Sequence, residues 1–324
     1  MIFVTGGTGL LGNCIVRALV EQGEEVRVLC RKGTSKEAFD DLQVEIIEGD
    51  LSSPELLAEA ASGCRAVIHS AAFIHIGWQK LQQSREVNVV GTENIIEASK
   101  QSGARLVHVS TVDTLPAAVD LSSPIDEKGD GGISKTPCSY VVSKSEAEEV
   151  VRQAIKADQM DAVIIHPGFM LAPFDWKPSS GRMMLEVNKS PIVAAPPGGC
   201  SVCDARDVAS AIARSVELGR SGQNYILAGA NLSYQEFWRQ ILQTTGRNRR
   251  VWRLGKGVRL VGACIDLANR ILPIKEGDVN GGAIAMGSLN HFYDSSLAEA
   301  ELEYKRRPLE ETLGDAWEWL STRF

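Results

Sequence analysis

Tyr140 and Lys144 are four residues apart in a segment whose pattern predicts a helix, and this spacing could support proton transfer. Residues at positions i and i+4 lie on one face of a helix, about one turn apart. Ala147, Val151 and Ala154 continue that face, so we expect both side chains to point inward near the helix start. Tyrosine has a reference pKa of about 10, and a nearby cation lowers it. The pair therefore predicts a general acid–base group suited to a carbonyl or an alcohol.

Two hydroxyl residues, Ser110 and Thr111, follow each other at the end of a predicted strand. Ligands of open α/β sheets bind at the carboxyl ends of the strands, and a hydroxyl there can bond an oxygen on which charge develops. A strand-end turn would use the same residues, but beside Tyr140 and Lys144 we favour catalysis. We predict Thr111 as the catalytic hydroxyl. Ser110 stays open, because only the alternation of side chains along the strand decides which one faces the cleft.

A glycine-rich loop directly follows the first predicted strand and opens a predicted helix. Glycine tolerates the positive φ of a sharp turn and lets a pyrophosphate approach the backbone, while the helix N-terminus offers free N–H donors. With a strand before it and a helix after it, the loop predicts a dinucleotide site. The residues predicted to bind the cofactor here are Gly6, Thr8, Gly9, Leu10, Leu11 and Gly12, with Gly6, Gly9 and Gly12 in G-x-x-G-x-x-G spacing.

The end of the second predicted strand favours one dinucleotide over the other. An NAD site usually has an acid there, whereas an arginine accommodates the 2′-phosphate of NADP. This chain has Cys30 at that place, followed by Arg31 and Lys32, and no acid occurs from Val26 through Lys36. We therefore predict NADP, with NAD as the less favoured cofactor and a solvated basic turn as the alternative for the two cations.

Asp50 and Leu51 end the third predicted strand and are also predicted to contact the cofactor. A carboxylate at this place can accept a hydrogen bond from an adenine amino group. An equally plausible interpretation is that Asp50 or Ser52 caps the helix that begins at Pro54, and both roles can hold together.

Short β-branched runs and amphipathic stretches alternate through the first half of the chain. This alternation implies right-handed βαβ units and a parallel sheet with helices on both faces, which is a doubly wound Rossmann α/β fold. The predicted strands are Ile2–Thr5, Glu25–Cys30, Val44–Glu48, Ala66–Ser70, Arg105–Ser110, Ala162–His166 and a returning Asn224–Ala228. The predicted helices are Leu10–Glu21, Pro54–Ala61, Gln79–Ser102 and Tyr140–Ala157, followed by Ser233–Thr245, Val258–Ile271, Ser295–Leu302 and Pro308–Leu320.

The same pattern predicts two units. Residues 1–170 form an NADP-binding Rossmann domain to which 201–230 return, and 171–200 with 231–324 form a smaller, mostly helical substrate-binding lobe. Residues 113–138 and 173–200 are rich in Pro, Gly and Ser and are predicted as loops. A structureless stretch as long as the first often marks a functional loop.

The bulk composition excludes several classes of protein. A net charge of −7 over 324 residues gives no general attraction to nucleic acid or to anionic lipid, so we expect neither as a partner. Seven irregularly spaced cysteines indicate reduced thiols in a cytoplasmic protein, and the lone Cys200/Cys203 pair is a weak metal signal, so no metal is predicted. The chain starts as a strand without a basic leader, and 257–272 is charged and too short to span a membrane.

The motifs together resemble those of the extended short-chain dehydrogenase/reductases, the NAD-dependent epimerase/dehydratase group, and within it the dihydroflavonol-reductase-like and 3β-hydroxysteroid-dehydrogenase-like members. The resemblance covers nearly the whole chain. The motifs that support it are Thr5–Gly12, Gly49–Leu51, Val67–Ala72, Asn88 with Gly91 and Thr92, Val109–Thr111, Tyr140 with Ser143 and Lys144, His166–Gly168, Asp204 with 206–208, Tyr293–Ser296 and Arg307–Glu311.

The resemblance implies a role for each matching residue. Tyr140 would be the general acid/base, Lys144 would hold the nicotinamide ribose and tune Tyr140, and Thr111 would stand at the catalytic Ser/Thr position. Arg31 matches the residue that holds the NADP phosphate. Residues implied along the cofactor channel are Ser70, Ala71, Ala72, Asn88, Pro167, Gly168 and Phe169.

Two features depart from the family pattern. Ala172-Pro173 stands where Gly-Pro is common, and His166 stands where arginine or asparagine is usual. We interpret His166 as a core histidine at a strand end. The family also pairs the helices predicted at 79–102 and 140–157 in homodimers, which the sequence leaves open here.

The favoured function is an NADP(H)-dependent oxidoreductase that reduces a carbonyl or oxidises a secondary alcohol on a small, ring-containing substrate. A nucleotide-sugar epimerase or dehydratase with tightly held NAD is the alternative, and Arg31 argues against it. A non-enzymatic nicotinamide-binding sensor is disfavoured because the chain keeps Tyr140 and Lys144.

Overall fold

A seven-stranded parallel sheet forms the centre of the protein. The computed structural model describes residues 1–129, 132, 138–255, 257–258, 260–262, 264–265, 276–277 and 280–324. The strands are β1 (Ile2–Thr5), β2 (Val26–Cys30), β3 (Glu45–Glu48), β4 (Ala66–His69), β5 (Arg105–Val109), β6 (Ala162–Pro167) and β10 (Asn224–Leu227). Their order across the sheet is β10-β6-β5-β4-β1-β2-β3. The prediction of a doubly wound Rossmann sheet is confirmed, and strand order reverses beside β1.

Helices cover both faces of this sheet. They are α1 (Leu10–Glu21), α2 (Pro54–Ala61), α3 (Leu81–Arg85), α4 (Gly91–Ser102), α5 (Ser139–Asp158) and α7 (Ala205–Leu218). One apolar core lies under α1 and α7, and a second lies under α2, α4 and α5. The inner strands β1, β4 and β6 are buried throughout, because crossover helices cover both faces of a parallel sheet, whereas the edge strand β3 is partly exposed.

Two smaller sheets and further helices form the rest of the described chain. The three-stranded sheet contains β7 (Phe169–Leu171), β9 (Gly199–Asp204) and β11 (Ala230–Ser233), and the two-stranded sheet contains β8 (Val193–Ala195) and β12 (Val251–Arg253). The helices are α6 (Gly181–Lys189), α8 (Tyr234–Thr244), α9 (Gly281–Gly287), α10 (Ser296–Glu301) and α11 (Leu309–Arg323). A separate apolar core joins α6, α8 and α11 to these sheets.

The predicted helix over 79–102 begins later and is interrupted. It starts at Leu81, and a π-helical turn over Glu86–Val90 separates α3 from α4. Such one-turn π segments are rare and frequently occur at functional sites. The buried side chain of Asn88 lies within this turn.

The predicted loop over 173–200 also contains regular structure. Asp175 accepts hydrogen bonds from the backbone N–H groups of Ser179 and Gly181, both at 3.0 Å, and this fixes the chain at the start of α6. The Pro- and Gly-rich composition therefore hid a helix whose start depends on one buried carboxylate. The helix predicted over 258–271 lies largely outside the described residues. Within the described residues, no helix combines the length and apolarity needed to cross a membrane.

Candidate active site

The glycine loop forms a tight cradle at the carboxyl end of β1. Gly6 has a φ of +79°, and a Cβ on it would lie 2.7 Å from the backbone nitrogen of Ala71. A Cβ on Gly12 would lie 2.1 Å from the carbonyl oxygen of Gly6. Gly9 is the N-cap of α1 and supplies no side-chain cap, so the first N–H groups of the helix stay available to an anion. This geometry fits a dinucleotide pyrophosphate, with Thr8, Leu10 and Leu11 in the same turn.

Arg31 directly follows β2, so it lies at the same carboxyl-end edge of the sheet as the glycine loop that follows β1. Arg31 and Lys32 are exposed, whereas Cys30 is buried at the strand end. In the described part of the chain, the guanidinium of Arg31 has no hydrogen bond or ion pair. Lys36, by contrast, is paired with Glu48 at 2.6 Å. Arg31 therefore remains open to a phosphate without having to break an existing ion pair.

Asp50 closes a turn rather than capping a helix. Its Oδ1 accepts from the backbone nitrogen of Ser52 at 2.8 Å and from the Ser52 hydroxyl at 2.5 Å. These bonds hold the pKa of Asp50 below its usual value. The N-cap of α2 is Ser53, without a side-chain cap bond, so the predicted capping role of Asp50 or Ser52 is wrong. Asp50 is exposed and Leu51 is half-buried.

The side chain of Asn88 forms hydrogen bonds both to the segment after β4 and to α5. Its Oδ1 accepts from the backbone nitrogen of Phe73 at 2.7 Å, and its Nδ2 donates to the Phe73 carbonyl at 3.0 Å and to the Ser143 hydroxyl at 2.9 Å. The segment of Ser70, Ala71 and Ala72 thus passes the glycine loop on its way to the bonded Phe73. Asn88 is a positioning residue in this structure, and the π-helical turn directs its amide to both partners.

Tyr140 and Lys144 lie in the first turns of α5, as the spacing predicts. Ala147, Val151 and Ala154 on the same face are buried, which confirms the predicted stripe. Lys144 is also buried, and its Nζ donates to the carbonyl oxygen of Val109 at the end of β5, at 2.7 Å. Burial lowers the pKa of Lys144 to about 8, although the carboxylate of Glu148 works in the opposite direction.

The surroundings of Tyr140 differ from the expectation that Lys144 lowers its pKa. Burial raises the pKa of Tyr140, and the negative charge of Asp113 adds to the rise, while a hydrogen bond with Thr111 opposes it. The reason is geometric, because the ammonium group of Lys144 is directed at Val109. Tyr140 is therefore held in its protonated form, which is the form that can give a proton to a substrate oxygen.

The two candidate hydroxyls point to different partners. Thr111 Oγ1 donates to Asp113 Oδ2 at 3.1 Å and accepts from the Asp113 backbone nitrogen at 3.2 Å. Ser110 Oγ donates to Glu148 Oε2 at 2.7 Å. Thr111 is thus the hydroxyl on the side of Tyr140, and Ser110 faces the body of the protein.

Glu148 is the centre of a buried polar network that the sequence reasoning did not identify. Its Oε2 also accepts from Thr114 at 3.0 Å and lies 2.9 Å from His166 Nε2, and its Oε1 accepts from Arg152 at 2.7 Å. Burial would raise the pKa of Glu148, but these partners hold it well below its usual value. Glu148 follows Lys144 by one helical turn, so the spacing of Tyr140, Lys144 and Glu148 was a signal for it. His166 is a core histidine, as expected, and is bonded to Glu148.

The segment after β6 borders the same edge of the sheet. Pro167 ends β6 and is buried, and Phe169 begins β7 and is half-buried. A Cβ on Gly168 would lie 2.6 Å from the carbonyl oxygen of Ser201, so only glycine fits between β6 and β9. Cys200 and Cys203 in β9 are free and buried, and the described residues contain no cluster of ligands suited to a metal ion.

A parallel Rossmann sheet, a glycine-cradled helix N-terminus and a Tyr–Lys pair beside a strand-end threonine define an NAD(P)-dependent oxidoreductase of the extended short-chain type. The model of the "NAD dependent epimerase/dehydratase family" matches residues 2–228, which is more than half of the chain. The chain belongs to this family.

Similar proteins agree with this assignment over nearly the full length. A putative dihydroflavonol 4-reductase of Synechocystis is 29% identical over 98% of this chain and 93% of its own. Sterol demethylase protein B of Methylococcus capsulatus is 28% identical over 99% of this chain and 98% of its own. The crystal structure of gox2253 has a TM-score of 0.87 at 28% identity and covers 99% of this chain and 98% of its own.

Proposed function

We propose that this protein is an NADP(H)-dependent carbonyl reductase, or secondary-alcohol dehydrogenase, for a small ring-containing substrate. The observation that supports it most is the arrangement of Tyr140, Thr111 and Lys144 at the carboxyl end of β5. The glycine cradle at the end of the nearby β1 belongs to the same edge. The substrate would bind between the Rossmann domain, residues 1–170 with 201–230, and the lobe of 171–200 and 231–324.

In this proposal the side chains of the protein deliver the proton and position the substrate carbonyl. A bound nicotinamide would supply the hydride that reduces the carbonyl carbon. Tyr140 gives its phenolic proton to the carbonyl oxygen, so the product is an alcohol and the phenolate is reprotonated from solvent. Thr111 holds the same oxygen while charge develops on it. Lys144, one turn after Tyr140 and bonded to the Val109 carbonyl, would bind the ribose hydroxyls of the nicotinamide.

The choice of NADP rests on Arg31. Arg31 is exposed, has no ion pair in the described chain and directly follows β2, where an arginine can accommodate the 2′-phosphate of NADP. The relative named a dihydroflavonol 4-reductase supports a reductase, and the one named a sterol demethylase protein supports a ring-containing substrate. A tightly held NAD, as in a nucleotide-sugar epimerase or dehydratase, would leave Arg31 without a role.

The test is a panel of ring ketones offered with NADPH and with NADH, followed by the loss of reduced-nicotinamide absorbance. We expect turnover with NADPH, and a loss of about 10²–10⁴-fold in kcat for Tyr140→Phe with NADPH binding retained. Full turnover by Tyr140→Phe would contradict the assigned acid. Purification with firmly bound NAD and no net consumption of NADPH would contradict the reductase and favour the epimerase.

A further inference from the structure

The small sheet of β8 and β12 has one buried face and one exposed face. The two strands are parallel, with Val193 opposite Val251 and Ala194 opposite Trp252. Val193 and Val251 are buried in the apolar core that also contains residues of α6, α8 and α11. Side chains alternate between the two faces of a strand, so Ala194 and Trp252 lie on the face that points away from this core.

The outer face is apolar, although it is exposed. Trp252 is 51% exposed, Leu254 just after β12 is 37% exposed, and Ile192 just before β8 is 75% exposed. The backbone nitrogen of Leu254 donates to the carbonyl oxygen of Ala195 at 2.8 Å, so the two chains stay aligned to this point. We call Ile192, Ala194, Trp252 and Leu254 the β8–β12 patch. Single exposed apolar residues are common, but a group of them along one pair of strands indicates a binding surface.

Arginines border the β8–β12 patch. The guanidinium of Arg250 lies over the ring of Trp252, 3.9 Å from its centroid. Arg247 and Arg253 are also exposed. Arg247 donates to the side-chain oxygen of Asn188, which precedes β8, at 3.1 Å, and Arg253 donates to a backbone carbonyl that follows β8, at 3.0 Å. Within the residues that the structure describes, these three guanidinium groups have no carboxylate partner, so their charge is not compensated there.

The charge of this region is opposite to that of the whole chain. The chain has a net charge of −7, yet no Asp or Glu occurs between Glu236 and Asp266, and six Lys or Arg residues occur from Arg247 through Arg259. The expectation that anionic lipid is not a partner was based on the total charge, which does not describe a local basic surface. Basic clusters beside apolar side chains are typical of surfaces that lie on anionic bilayers.

The residue types favour lipid over nucleic acid as the partner. Tryptophan is enriched at the headgroup level of membranes, and arginine can lay its aliphatic stem on apolar surface while its guanidinium binds a phosphate. Ile192 and Leu254 would enter the boundary of the acyl chains, as the apolar face of an interfacial segment does. A single-stranded nucleic acid would instead need aromatic rings for base stacking, which these two aliphatic side chains do not supply.

We propose that the β8–β12 patch docks on an anionic lipid surface, with its apolar side chains in the interface and the bordering arginines bonded to lipid phosphates. The protein would lie on the bilayer, and no spanning helix is required. The patch belongs to the proposed substrate lobe of 171–200 and 231–324, so docking brings this lobe to the lipid. The inference is independent of the proposed reaction.

The test is cosedimentation of the purified protein with vesicles of phosphatidylglycerol and phosphatidylcholine, compared with vesicles of phosphatidylcholine alone. We expect binding to the anionic vesicles and not to the neutral ones, and a loss of binding at high salt, which screens the charges. Arg250→Gln and Trp252→Gln should each weaken binding by about fivefold or more, because each removes one cation or one interfacial anchor.

Two exposed residues outside the patch provide matched controls. Arg306→Gln removes the same charge from an arginine that is paired with Glu299 at 2.6 Å, and Leu218→Gln replaces an apolar side chain that is 46% exposed at the end of α7. Both variants should bind anionic vesicles as the wild type does. Thermal unfolding of every variant shows that a change in binding does not come from a loss of folding.

Several outcomes would overturn the inference. These are absence of binding to anionic vesicles, equal binding to both kinds of vesicle, and unchanged binding by both patch variants. Size-exclusion chromatography and a gel shift with single-stranded RNA test the other occupants. A dimer that is lost in Trp252→Gln, or RNA binding that is lost in Arg250→Gln, would assign the patch to a second copy or to nucleic acid if vesicles are not bound.

Discussion

Ser110 and Glu148 are joined by a hydrogen bond of 2.7 Å between Oγ and Oε2, and this bond directs the Ser110 hydroxyl away from Tyr140. Thr111, the next residue, is left on the other side of the chain, with Asp113 as its partner. The backbone is still extended at Thr111, beyond the end of β5, so successive side chains continue to point to opposite sides and only one of the two hydroxyls can reach the cleft.

The two hydroxyls should therefore respond differently to substitution. We expect Thr111→Ala to lower kcat by about 10²–10³-fold, because a donor to the reacting oxygen is lost, and Thr111→Ser to retain most activity. Ser110→Ala should lower the free energy of unfolding by about 1 kcal/mol and change kcat little. Steady-state kinetics and thermal unfolding of the three variants measure these effects. A larger loss of kcat in Ser110→Ala than in Thr111→Ala would make Ser110 the catalytic hydroxyl.

Glu148 should set the alkaline limit of activity through Lys144. Burial lowers the pKa of Lys144 to about 8, and the Glu148 carboxylate stabilises the ammonium form against that effect. If activity needs charged Lys144, kcat/KM falls as pH rises through about 8. Glu148→Gln removes the stabilising charge, so the fall should move to lower pH, and Lys144→Arg should abolish it if that variant keeps activity. Identical pH profiles for wild type and Glu148→Gln would contradict this coupling.

Arg31 should decide the preference between the two dinucleotides. We expect Arg31→Ala to raise the KM for NADPH by about tenfold or more with little change for NADH, because a charge-assisted bond to the 2′-phosphate is lost. Lys36→Ala is the matched control, since Lys36 is a nearby cation already paired with Glu48. An unchanged NADPH/NADH ratio in Arg31→Ala would remove the main support for NADP.

Gly12 and Gly314 should respond oppositely to alanine. A Cβ on Gly12 would lie 2.1 Å from the Gly6 carbonyl oxygen, so Gly12→Ala should displace the loop, lower the free energy of unfolding by about 1–3 kcal/mol and weaken NADPH binding. Gly314 lies in α11 with open space around it, so Gly314→Ala should stabilise the protein by about 0.5–1 kcal/mol. Thermal unfolding with and without NADPH measures both, and normal binding by Gly12→Ala would contradict the cradle.

The sequence alone determined the elements whose signals are local. The strands of the central sheet, the glycine loop and the shared face of Tyr140 and Lys144 follow from periodicity, backbone freedom and helix geometry over a few residues. For the same reason, Glu148 one turn further along α5 was within reach of the sequence.

Only the tertiary structure decided which partners these residues meet. Glu148 of α5 accepts a hydrogen bond from Ser110, and this contact gives Ser110 a different role from Thr111. Asp113 is paired with His291, which lies far away in the chain. No periodicity links residues so distant, because their contact depends on how β5, α5 and the segment after α9 pack. In the same way, α6 was hidden in a Pro- and Gly-rich stretch, since its start depends on the buried carboxylate of Asp175.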